Sequence, residues 1–146
     1  KKDASNPVYY VQYAHARICS ILRKAASEAD AQAAEAGELF MDELAARVIP
    51  EGADLSALTH ESELALMRKM DDFGDLVALA ARDRAAFRLT HYAQELASAF
   101  HQFYTNCHVL TEDAALTQAR LALADATRIV LALTLSLLGV SAPEKM

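Results

Sequence analysis

The stretch Asn6-Pro7-Val8-Tyr9-Tyr10-Val11-Gln12-Tyr13-Ala14-His15-Ala16-Arg17-Ile18-Cys19-Ser20-Ile21-Leu22 decides the fold class. Asn is a strong helix cap, and Pro at the next position loses nothing there, because the N–H it lacks would have no helical partner. At the helical period Val11, Ala14, Ile18, Ile21, Leu22 and Ala25 fall inside one arc of roughly 100°, an apolar stripe made to be buried. With few helix breakers before Gly37, the helix is expected to run to that glycine.

The rest of the chain reads the same way. Glu38 to Val48 is a short helix ended by Ile49-Pro50-Glu51-Gly52, and a loop with Asp54 and Leu55 follows. Thr59 is placed to cap a helix through Leu64, Leu66, Met67 and Met70, which Phe73-Gly74 kinks or breaks before Leu76 to Ala81. A long helix from about Ala85 to Val109 presents Phe87, Leu96, Phe100, Phe103 and Tyr104. Thr111-Glu112-Asp113 opens the last helix, since acidic and hydroxyl residues suit a helix N-terminus, and Gly139 closes it. No alternating strand pattern and no repeat of fixed period interrupts the series. The expected architecture is all-α, a bundle of about five helices forming one domain over residues 1–146.

Composition agrees. Apolar residues make up 53% of the 146, with only 4 Gly and 3 Pro, a balance that favours long helices and one substantial core. Leu121 to Leu138 is the most apolar stretch, but Asp125 and Arg128 interrupt it, so it reads as a core helix rather than a membrane span. No secretory leader pattern follows Lys1 and Lys2. The two cysteines, Cys19 and Cys107, lie far apart with no ligand-spaced partner, and are expected as small buried hydrophobes in a reducing, cytoplasmic setting.

The net charge of −6 argues against indiscriminate nucleic-acid binding. Its distribution is uneven. Residues 1–25 sum to +4, residues 26–81 to −10, and residues 82–146 to zero. A polyanion would therefore meet the two ends of the chain and avoid the middle.

Catalytic constellations are missing from the sequence: no Gly-rich phosphate loop, no Cys–His pair at metal spacing, no Gly-x-Ser-x-Gly elbow. His91 and His101 read as ordinary, partly buried histidines, and Asp71-Asp72 as solvated surface. Two features remain. Tyr10, Tyr13, Arg17 and Lys24 fall on one stripe beside the apolar face of the first helix. Rings with neighbouring cations suit unstacked bases and phosphates, although a tyrosine pair closing the edge of the core with solvated bases outside it gives the same pattern. Phe100, Phe103, Tyr104 and His108 form the second row, with the two phenylalanines expected in the core.

The wording of these stretches carries a resemblance. Asn6 to Arg17, quoted above, resembles the opening of the last domain of bacterial arginyl-tRNA synthetases. His91-Tyr92-Ala93-Gln94-Glu95-Leu96-Ala97 with Phe100-His101-Gln102-Phe103-Tyr104 is similar to their next signature. Asp125-Ala126-Thr127-Arg128 stands where this anticodon-binding domain family, named for Asp-Ala-Leu-Arg, carries its motif, with Thr127 in place of Leu. Leu138-Gly139-Val140-Ser141-Ala142-Pro143-Glu144-Lys145-Met146 is similar to the family's ending.

The resemblance implies a domain that holds the anticodon stem and loop of tRNA(Arg), with the acidic middle facing away. By matching position, Tyr10, Tyr13 and Arg17 would line the loop from one side, with Lys24 of the same stripe beside them, and Tyr104, His108 and Met146 would approach from the other. His108 stands where relatives often have Arg or a larger aromatic. The family's catalytic His-Ile-Gly-His and Lys-Met-Ser-Lys-Ser motifs are not in this sequence. ATP and magnesium would then belong to the catalytic domain of a parent arginine–tRNA ligase, and this piece, monomeric and without a cofactor, would not catalyse. The competing expectation is a helical protein-interaction module with an exposed apolar groove, in which Tyr10 and Tyr13 would be buried.

Overall fold

The computed structural model describes residues 6–146, so Lys1 and Lys2 of the basic opening lie outside the described residues. Seven α-helices appear among them, and no strand. They are α1 (Pro7–Ala25), α2 (Glu28–Glu35), α3 (Met41–Val48), α4 (Glu61–Asp71), α5 (Phe73–Asp83), α6 (Ala86–Asn106) and α7 (Ala114–Leu137), with a 3₁₀ turn at Leu55–Ala57 before α4. The chain is all-α, as the periodicity requires. The count exceeds five because two continuous stretches are divided.

The first division is at Ser27. Its hydroxyl accepts from the Asp30 amide and starts α2 as a separate helix, so Gly37 (φ 78°) ends α2 and not α1. The second is at Asp72, where α4 stops and α5 begins, beside Phe73-Gly74 where a kink or break is expected. Other boundaries fall close to expectation. Asn6 Oδ1 accepts from the Val8 amide at 3.0 Å with Pro7 following, and Asp113 caps α7 through the Ala115 and Leu116 amides. At the start of α4 the cap is His60 rather than Thr59. His60 Nδ1 accepts from the Ser62 amide while Glu63 Oε1 accepts from the His60 amide, a reciprocal box that satisfies two otherwise orphaned donors.

Helices α1, α6 and α7 pack on one another and form the centre. Helix α4 lies against α6, α5 against α6 and α4, and α2 and α3 against α1. Ile18, Leu22, Leu44, Leu66, Leu96, Phe100, Phe103, Leu131 and Leu135 are closed off from solvent. Each such side chain contributes about 1.5–3 kcal/mol of burial, so these residues set the mutual orientation of the central helices. The apolar stripe of α1 is buried as its period predicts, apart from Ala25 at its partly covered end. Phe87 departs from the core row of α6 and is exposed. Cys19 and Cys107 are free and buried, and burial pushes the Cys19 thiol up to about 12, well outside the reactive range. No helix among the described residues is long and apolar enough to cross a membrane.

Candidate nucleic-acid interface

Packing α6 against α1 places two short sequence rows face to face. Arg17 of α1 carries its guanidinium carbon 4.3 Å from the centroid of the Tyr104 ring of α6 and 5.5 Å from that of Tyr13. Its Nη1 stands 3.4 Å from His101 Nδ1. The His101 ring in turn lies 5.3 Å from the Tyr10 ring, 5.9 Å from Tyr13 and 5.8 Å from Phe100. One cation is therefore surrounded by rings from two helices, an arrangement that fixes its position and leaves its remaining donors to other partners.

The protonation of His101 follows from its neighbours. A guanidinium has only donors, so Nδ1 accepts and the ring proton sits on Nε2. That Nε2 is buried and makes no hydrogen bond. Burial, with the Arg17 charge behind it, holds the His101 pKa below its usual value and keeps the ring neutral.

Three adjoining grooves meet on Arg17. The first is lined by Tyr9, Tyr10, Tyr13 and His101. The second is lined by Tyr13, Ser20, Arg23, Lys24, Tyr104 and Met146. The third is lined by Lys24, Tyr104, Thr105, His108, Val109 and Leu110. Tyr10, Tyr13, Arg17, Lys24, Tyr104, His108 and Met146, singled out from the sequence, thus share one continuous surface built from α1, the end of α6 and the tail after α7. The surface is open: Tyr13 is 40% exposed and Met146 50%. Arg17, Arg23, Lys24 and Lys145 give it positive charge. Glu35 departs from the expectation that the acidic middle faces away, since it stands at the rim of the second groove, 3.9 Å from Lys145.

Support comes from behind the surface. Arg120 of α7 donates through Nη1 to the His108 carbonyl at 2.6 Å and through Nε to Glu63 Oε2 at 2.9 Å. Glu63 is nearly inaccessible, so this pair fixes the loop carrying His108 against α4 and α7. The tail is tied as well. Gln12 Nε2 donates to the Ser141 carbonyl at 2.9 Å, His15 Nδ1 pairs with the Pro143 carbonyl at 2.9 Å, and Arg23 Nη2 donates to the Glu144 carbonyl at 3.2 Å.

Several of these residues had no local signal. Of the two histidines expected to be partly buried, His91 is exposed beside Glu95 and only His101 joins the site. Apart from Phe100, its neighbours Tyr10, Tyr13 and Arg17 lie 84 or more positions away. Gln12, His15 and Arg23 likewise meet carbonyls more than 120 positions distant.

The Asp125-Ala126-Thr127-Arg128 motif lies away from this surface. Arg128 is buried and bridges Asp125 on its own helix and Asp42 on α3. Thr127, fully buried, donates to the Leu123 carbonyl at 2.9 Å. The motif therefore joins α7 to α3. Beside it runs an apolar groove lined by Ala45, Ile49, Ile129 and Leu133. An apolar face exists, but Tyr13 is open beside Arg17 and Tyr10, packed on the edge of the core, is only half-buried, whereas a protein-docking module without RNA binding would have both rings buried.

Comparison with known proteins gives the same assignment. Over its whole length the chain is 47% identical to proteins named arginine–tRNA ligase from Dehalococcoides mccartyi and Heliobacterium modesticaldum, covering 23% and 24% of them. It spans about a quarter of the length of these relatives. The solved structure of Thermus thermophilus arginyl-tRNA synthetase superposes with a TM-score of 0.74 at 31% identity, over 99% of this chain and 22% of that one. Residues 11–146 match the DALR anticodon binding domain, and the chain belongs to that family.

Proposed function

We propose that this chain is the anticodon-binding part of an arginine–tRNA ligase and holds the anticodon stem and loop of an arginine tRNA on the surface around Arg17. The observation that carries the reading is the meeting of three open, ring-lined grooves on one ring-held guanidinium. Splayed bases would stack on Tyr10, Tyr13 and Tyr104, each stack contributing on the order of 1–3 kcal/mol. Arg17 and Lys24 would take backbone phosphates, with His108 and Met146 closing the far side. The positive side chains at the surface are few and the net charge is −6, so binding should weaken only gradually with salt.

In the parent enzyme, joining arginine to tRNA with ATP and magnesium would belong to a catalytic domain elsewhere in the same protein. This part would act by position, since its grip on the anticodon end sets where the acceptor end reaches. We read it as a monomeric, cytoplasmic unit. Titration of the isotope-labelled chain with an anticodon hairpin, followed by NMR, tests the placement. The largest shifts are expected at Tyr10, Tyr13, Arg17, His101, Tyr104 and Met146. Shifts confined to the α3–α7 groove would contradict it.

A further inference from the structure

Residues 141–146 do not trail from α7. Gly139, with φ 72°, turns the chain off the helix end, with the Val140 amide bonded back to the Leu135 carbonyl. The tail then follows α1 in the same direction as that helix. Gln12 reaches Ser141, His15 reaches Pro143 and Arg23 reaches Glu144, each through a side chain bonded to a main-chain carbonyl. Main-chain carbonyls are present whatever side chains the tail carries, so this set reads backbone position.

His15 is the most committed of the three. It is buried, 4% exposed, and faces an acceptor that can only accept, so Nδ1 must carry the proton. Burial is also the leading reason its pKa is lowered, and the ring donates as neutral imidazole. Beyond these bonds, Met146 arrives in the groove with Tyr13, Arg17, Lys24 and Tyr104. The Lys145–Glu35 pair adds little, being long and well exposed on both sides.

We propose that Gln12, His15 and Arg23 are positioning residues that fasten residues 141–146 along α1 and hold Met146 as a fixed wall of the RNA-binding groove. This rests on the anticodon reading given above. A wall held in place before the RNA arrives loses no ordering entropy on binding, so the fastening contributes to affinity without touching the ligand.

The test uses Gln12→Met with Arg23→Met, which removes two donors outside the core while keeping their apolar stems. A second variant, His15→Asn, keeps an N–H near the position of Nδ1. Motion of the Met146 methyl group is read by NMR in the free chain, and hairpin affinity by titration. In the wild type the methyl is restrained. In the double variant it becomes mobile, and binding of the arginine-anticodon hairpin weakens about fivefold to tenfold, the scale of one ordinary contact. Removing residues 144–146 from the double variant then costs almost nothing more, because the two changes disable the same element. His15→Asn keeps both the restrained methyl and the affinity. An equally restrained methyl in the double variant, or a full further loss on truncation, overturns the proposal. The methyl measurement needs no RNA, so it judges the fastening separately. A wild-type chain that binds no hairpin would overturn the anticodon reading itself.

Discussion

The Arg17 guanidinium lies over the Tyr104 ring at 4.3 Å, joining α1 to the end of α6 at the point where three grooves converge. A flat, delocalised cation can lie against a ring and still present donors at its edge, whereas an ammonium on a flexible stem cannot do both. The cation is therefore presented to a ligand in one orientation, beside the exposed Tyr13 ring and the half-buried Tyr10 and Tyr104.

Arg17→Lys keeps the charge and loses the planar fork. Hairpin affinity is expected to fall about tenfold, with the thermal midpoint nearly unchanged, because a point charge replaces an oriented one. Titration of both chains with one hairpin, at one salt concentration, checks this. Equal affinity would mean that Arg17 supplies charge alone.

Tyr13→Ala removes a ring that is 40% exposed, packed on His101 and Arg17 at the surface rather than in the core. Binding should weaken by about 1–3 kcal/mol, the range for one stacked base, while the circular dichroism spectrum stays helical. An unchanged dissociation constant would remove Tyr13 from the interface.

Much of this surface was legible early. The helical period set Tyr10, Tyr13, Arg17 and Lys24 on one stripe, and Asn6-Pro7 marked the start of α1. What could not be read was where distant pieces meet. His101 sits among Tyr10, Tyr13 and Arg17 only because α6 packs across α1, and no spacing along the chain encodes that crossing. The break at Ser27 was hidden for a different reason: it lies in an Ala-rich run of high helix propensity, and a serine cap without Gly or Pro leaves a weak mark. Asp125 to Arg128 was identified as a motif, but its role in bridging α7 to Asp42 of α3 depends on tertiary contact.

Arg120→Met should destabilise the fold by about 3 kcal/mol or more, because it leaves the Glu63 carboxylate buried without its ion partner. Urea unfolding measures the loss. Adding Glu63→Gln should recover part of it, since the uncompensated charge is then gone. A loss below about 1 kcal/mol would show that the pair is weakly coupled to folding.

Stability should fall as the solution is acidified below neutrality. His15 and His101 both have folded pKa values lowered from the ordinary 6.5 by burial. The unfolded chain therefore binds more protons in the window just below that value, and stability present above about 6.5 is lost as pH falls through it. Thermal midpoints between pH 7.5 and about pH 5 test this, and His15→Asn with His101→Asn should flatten the slope. An unchanged slope in the double variant would assign it to other groups.

The most direct test of the central claim is titration of this chain with the anticodon stem-loop of an arginine tRNA, against the same hairpin carrying another anticodon. Binding of the arginine hairpin tighter by about tenfold or more is predicted, because on the proposed reading the bases themselves would stack on and pair with the surface around Arg17. Equal affinity for the two hairpins would contradict it, reducing that surface to a patch that recognises RNA without reading the anticodon.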